Sequence, residues 1–127
     1  MIEVVFDASA LLALMRGEPG ADVVAGHLGR AAMSSVNIAE VYGRLLRETY
    51  LPDDFRRDIE ALDFESHDFT AEQAFLAGRM EPATRPLGLS LGDRACLALA
   101  LYLGVPALSG DRRWEKAAVG AKMSFFR

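Results

Sequence analysis

Four acidic residues stand where a carboxylate could do chemistry. Asp7 ends the apolar run Ile2 to Phe6, Glu40 lies early in a helical pattern that begins at Ser35, Asp93 falls three residues after Ser90 at the start of another, and Asp111 follows a second apolar run by two residues. An acid closing so apolar a run as the first is uncommon unless it is used. Carboxylates gathered at one place repel one another and raise a pKa, a conflict that a divalent cation removes. With oxygen ligands only, and neither histidine nor cysteine in the pattern, the expected cation is hard, Mg²⁺ or Mn²⁺, and keeps several waters. The chemistry such a centre serves is in-line hydrolysis of a phosphodiester by an activated water.

Each acid also has a structural explanation. Asp7 could start a turn after a strand. Glu40 could close a capping box with Asn37 or pair with Arg44 four residues on. Asp93 could be a helix-start carboxylate, and Asp111 a turn residue in Ser109-Gly110-Asp111. The functional signal lies in their conjunction, so the elements that position them decide the matter.

The run Ile2 to Phe6 reads as a buried parallel strand, covered on both faces, with Asp7 at its carboxyl end. A helix follows to about Arg16, with Gly17 and Pro19 as stop signals, and Gly20 to Leu28 gives a second one closed by Gly29. Ala31 to Ser34 is a short strand. From Ser35, the spacing of Ile38, Val41, Tyr42, Leu45 and Leu46 predicts a longer amphipathic helix, with Glu40 nearly opposite that stripe. Pro52 opens a helix to about Leu62, and Asp63 to Ser66 reads as a weaker strand. Thr70 caps a helix to about Glu81, Pro82 to Gly88 reads as a loop beside the site, and Ser90 caps a helix from Leu91 to Leu103 that is apolar nearly all round. Val105 to Ser109 is a strand of buried type, Arg112 to Ala118 a helical turn, and Met123 to Phe125 a last strand. Strands alternating with helices predict an α/β fold, three layers around a mainly parallel sheet. In such a sheet Asp7 and Asp111 reach one rim, where helix amino ends are also commonly found.

A chain of 127 residues is the size of one domain, 1–127, and buries roughly two-thirds of its unfolded surface. The single cysteine, Cys96, lies in the most apolar helical stretch and reads as a small buried hydrophobe. No basic leader and no membrane-length apolar stretch is visible, so a cytoplasmic location with no membrane partner is expected. The formal charge is -4, from 18 acids against 14 bases, which argues against a nonspecific nucleic-acid coat. It does not exclude a nucleic-acid substrate: with four acids withdrawn into a metal site, 14 remain against 14 bases. The bases are 12 arginines and two lysines, a set suited to planar phosphate recognition. His27, His67 and the pairs Arg56-Arg57 and Arg112-Arg113 read as surface residues, the last pair adjoining the site where it could touch phosphate.

Four stretches together resemble the successive motifs of PIN-domain ribonucleases, and most nearly the VapC toxins of bacterial toxin-antitoxin pairs. They are Val5-Phe6-Asp7-Ala8-Ser9-Ala10-Leu11, Ser34-Ser35-Val36-Asn37-Ile38-Ala39-Glu40-Val41, Leu89-Ser90-Leu91-Gly92-Asp93-Arg94-Ala95-Cys96-Leu97-Ala98-Leu99-Ala100 and Leu108-Ser109-Gly110-Asp111-Arg112-Arg113-Trp114. The resemblance implies a three-layer α/β/α domain cutting RNA with Mg²⁺ or Mn²⁺, and metal ligation by Asp7, Glu40, Asp93 and Asp111. It implies that Ser9 and Ser109 orient acids, waters or phosphate, although the family more often has threonine at the latter position. It further implies a homodimer, a VapB-type antitoxin whose tail occludes the acidic groove, and tRNA or ribosomal RNA as substrate.

Three other readings compete for these residues. A haloacid-dehalogenase-type phosphatase needs a second aspartate where Ser9 stands, and a receiver module needs a lysine after a later strand, where neither Lys116 nor Lys122 falls. A catalytically silent PIN-like binding or regulatory module is disfavoured by the presence of all four acids.

Overall fold

The computed structural model covers all 127 residues. Five strands, β1 (Val4–Phe6), β2 (Ala31–Ser34), β3 (Glu65–His67), β4 (Ala107–Ser109) and β5 (Met123–Phe125), form one sheet in the order β3-β2-β1-β4-β5. Every pairing is parallel, with Val5 opposite Ala32 on one side and opposite Ala107 on the other. The helices are α1 (Ala8–Arg16), α2 (Ala21–Ala25), α3 (Ser35–Glu48), α4 (Pro52–Ala61), α5 (Ala71–Arg79), α6 (Glu81–Thr84) and α7 (Leu91–Leu103).

Side chains alternate across a strand, so β1 feeds two cores at once. Val4 and Phe6 join Met33 of β2 and Leu108 of β4 in one core, with Leu11 of α1 and Val41 and Leu45 of α3. Val5, Ala32 and Ala107 face the other way, onto Cys96, Leu97 and Leu99 of α7 and onto Trp114. This is the three-layer α/β/α arrangement, and it explains why β1 is buried throughout and why α7 is apolar around most of its circumference. Cys96 is fully buried, and burial pushes its thiol well above the ordinary range, so it packs as a hydrophobe.

Several boundaries differ from those the sequence suggests. The helix expected over Gly20 to Leu28 closes at Ala25, with Gly26 as its cap and turns beyond it, because Gly26 and Gly29 weaken helical continuation. The strand expected over Asp63 to Ser66 lies later, at Glu65–His67. It is an edge strand with little buried surface, so pairing with β2 rather than hydrophobic pattern sets its limits. Pro82 to Gly88 is helical rather than a loop: α6 leads into a 3-10 turn, Arg85–Leu87, which Gly88 ends at φ 71. Pro82 and Pro86 each occupy the first turn of their segment, where the missing N–H goes unused. No helix is long and apolar enough to cross a membrane.

Candidate active site

In the order β3-β2-β1-β4-β5, chain direction across the sheet reverses at β1, and the crevice beside such a reversal is where open α/β sheets take ligands. A cleft of about 350 Å³ opens there, and Asp7, Glu40, Asp93 and Asp111 all line it. Three acids therefore arrive at helix starts and one on the second turn of α3, brought together from stretches as far apart in sequence as Asp7 and Asp111. The structural and functional readings of these acids are compatible. Asp7 is the amino cap of α1, its Oδ1 accepting from Ala10 N at 2.9 Å, and Asp111 caps the 3-10 turn Arg112–Lys116. Asp93 completes a capping box, its Oδ2 accepting from Ser90 N at 2.8 Å while Ser90 Oγ accepts from Asp93 N at 3.1 Å.

Asp7 is only 4% exposed. Ser9 Oγ donates to its Oδ1 and Ser109 Oγ to its Oδ2, both at 2.6 Å. The same two hydroxyls accept backbone N–H groups of the following loop, Ser9 from Gly110 and Ser109 from Asp111, each at 2.9 Å. Each serine is thus a bridge between the Asp7 carboxylate and the segment that carries Asp111. Burial pushes the Asp7 carboxyl up to about 6; the hydrogen bonds from Ser109, Ser9 and Ala10 pull against this, and the charge of Asp93 adds to it.

Glu40 is exposed on the cleft wall; its carboxyl is raised, first by the protein packed around it, against a hydrogen bond from Asn37, and further by Asp93. Asn37 is fully buried and is not a cap, since Ser34 caps α3. Its Nδ2 donates to Glu40 Oε1 at 2.7 Å and to Gly92 O of α7 at 2.9 Å, tying α3 to α7 across the site. Gly92 is needed there: a Cβ at that position would come within 2.2 Å of Glu40 Oε1. Arg44 pairs with Glu48 at 3.9 Å, not with Glu40.

Asp111 behaves differently. Arg113 grips it with a two-pronged fork, Nη2 at 2.6 Å from Oδ2 and Nε at 3.0 Å from Oδ1, and this guanidinium holds the carboxyl below its usual range. The Nη1 of Arg113 lies 3.4 Å from the carbonyls of both Leu87 and Gly88. From the sequence Arg113 reads as a solvated residue adjoining the site and Asn37 as a cap; both are built into the site. Gly92 carried no sequence signal. Asn37 had a weak one, its three-residue spacing before Glu40.

Asp7, Glu40 and Asp93 have no cationic partner in the chain, while Asp111 has Arg113. The donors are oxygens only. Three acids without an ion pair, two of them with raised carboxyls, fit a hard divalent cation. The acids do not close into a set of three or more ready ligands, so the convergence expected from sequence reaches a shared cleft and stops short of a closed cage. Magnesium does not require one, since it retains waters and is held through one or two carboxylates.

Residues 4–120 match the PIN domain family, and the chain belongs to that family. The fold is shared with chains of known toxin-antitoxin structures at low identity. It matches the DNA-bound VapBC of Salmonella typhimurium with a TM-score of 0.79 at 14% identity, covering 100% of each chain. A toxin-antitoxin complex from Klebsiella pneumoniae matches with a TM-score of 0.76 at 15% identity, over 98% of each chain. VapC20 of Mycobacterium tuberculosis, a sarcin-ricin loop cleaving toxin, matches with a TM-score of 0.69 at 16% identity, over 83% of this chain and 87% of its own. No curated protein matches the sequence.

Proposed function

We propose that the protein is a metal-dependent endoribonuclease, the toxin of a VapBC-type pair, hydrolysing RNA phosphodiester bonds, with tRNA or ribosomal RNA as substrate. The observation that carries this reading is the meeting of Asp7, Glu40, Asp93 and Asp111 in one cleft at the carboxyl edge of a parallel sheet, in a PIN-family chain. Asp7, Glu40 and Asp93 would hold Mg²⁺ or Mn²⁺, and Asp111 would join them when released from Arg113. The bound ion supplies Lewis-acid activation of water and charge neutralisation at the phosphate.

The chain's own residues prepare this. Ser9 and Ser109 fix both oxygens of Asp7, so its orientation is set before any ligand arrives. Asn37 fixes Glu40, whose carboxylate can receive a proton from the attacking water. In the balanced reaction that water's oxygen bonds phosphorus, the P–O bond to the leaving strand breaks, and the leaving oxygen takes up a proton. Arg113, once free of Asp111, offers a planar cation to the phosphate.

The likeness to VapBC structures supports a VapB-type antitoxin as partner; a homodimer is proposed on the sequence resemblance to the VapC toxins alone. A catalytically silent binding module remains the rival, favoured by one observation, the closed fork between Arg113 and Asp111. Incubating the purified protein with total RNA and mapping cut sites separates the two. Site-specific cuts with Mg²⁺ or Mn²⁺, absent with EDTA and absent for Asp7→Asn, are expected. No metal-dependent cutting, or equal cutting by Asp7→Asn, overturns the nuclease reading.

A further inference from the structure

The cleft, where Arg16, Arg44, Arg113 and Arg127 stand among five acids, continues into a second groove of about 260 Å³ in which two arginines face a single acid. This groove is bordered by Ala8, Leu12, Glu40, Val41, Arg44 and Arg47, and it shares four of these, Ala8, Leu12, Glu40 and Arg44, with the cleft. Glu40, Arg44 and Arg47 stand at i, i+4 and i+7 of α3, so they form one stripe that leads from the acidic floor outward. Along it the charge changes from negative to positive within about 10 Å of helix.

The two arginines are poorly spoken for inside the chain. Arg47 has no ion pair or hydrogen bond to any side chain. Arg44 reaches only Glu48, at 3.9 Å, and the same Oε1 of Glu48 is already taken at close range by Arg16. Arg47 lies in the last turn of α3 and would complement the helix dipole there, but Arg44 does not. In a chain of net charge -4, two accessible guanidinium groups on the wall of one groove are a local reversal of sign. Their planar forks match phosphate oxygens.

We infer that the Arg44–Arg47 groove binds the phosphate backbone of the single RNA strand running away from the scissile bond along α3. This rests on the nuclease reading above and adds to it where one side of the substrate lies. An acidic protein tail would also be attracted to the arginines. It would, however, have to end before the cleft, where its carboxylates meet four others, whereas an RNA strand must pass from the cleft into a neighbouring groove in order to be cut internally.

The test is equilibrium binding of a labelled short single-stranded oligoribonucleotide to the intact protein in EDTA, followed against salt, with cleavage in Mg²⁺ assayed in parallel. Each phosphate contact on a single strand contributes about 0.7 to the slope of log affinity against log salt. Arg44→Ala with Arg47→Ala is expected to weaken binding and flatten that slope by about 1.4, Arg44→Lys with Arg47→Lys to retain most of it, and Arg56→Ala on α4 to leave it unchanged. Alanine is the best helix former and both sites are exposed, so the double variant keeps its fold. A wild-type slope in the alanine variant, or loss of affinity for an acidic peptide with RNA binding intact, overturns the groove assignment. If the wild type fails to cut RNA in Mg²⁺, it is the nuclease reading that fails, and the salt slopes then report separately on the groove.

Discussion

At the scale of single residues, the site trades stability for charge. Asp7 is buried with its carboxyl raised from 3.8 to about 6, so the native state binds its proton more tightly than the unfolded chain does. Stability from this group is full below 3.8 and is lost as pH rises through about 6, a cost of about 3 kcal/mol at neutral pH. Asp7→Asn is therefore expected to be more stable than wild type at pH 8 by up to about 3 kcal/mol in EDTA, with the gain nearly gone at pH 4. Urea unfolding at the two pH values measures this, and an asparagine variant less stable at pH 8 would show that the charge is not a burden. The serines act on the same atom pair. Ser109→Ala removes one of the donors that hold the carboxyl down and leaves Asp111 N without its acceptor. It should destabilise the protein by about 1–3 kcal/mol and move the acidic limb of the cleavage profile to higher pH. A pH profile superimposable on that of the wild type would argue against this linkage.

At the scale of elements, β1 and α7 deliver the site, and their legibility differs from that of their surroundings. The almost unbroken apolar run into Asp7, the capping serine before Asp93 and the β-strand before Asp111 are legible in the sequence because burial and capping leave local signatures. Edge strand β3 and the α6 segment are not, since their limits come from pairing and from prolines that sit harmlessly in first turns. The Arg113 fork and the contact of Gly92 with Glu40 could not be read at all: one depends on a side-chain rotamer, the other on two helices 52 positions apart in sequence crossing closely. That crossing yields a sharp expectation. Gly92→Ala improves the intrinsic helix propensity of α7 by about 1 kcal/mol, yet its Cβ must displace the Glu40 carboxylate. The variant should remain folded by circular dichroism while losing most cleavage; a fully active Gly92→Ala would show that Glu40 needs no fixed position.

At the scale of the whole molecule, two cores on opposite faces of a parallel sheet hold four distant acids on one rim, and three of them form no ion pair within the chain. A ligand that binds only the native state stabilises it, by about 2.7 kcal/mol at a concentration a hundredfold above its dissociation constant. A divalent cation should do so here, and the gain should disappear where an acid is removed. The central claim is that these acids act together as one cation site, and calorimetric titration of metal-free protein with Mn²⁺ tests it most directly. The account predicts saturable binding to wild type and at least tenfold weaker binding to Asp7→Asn and to Asp93→Asn alike. Binding of equal affinity in all three proteins would contradict it.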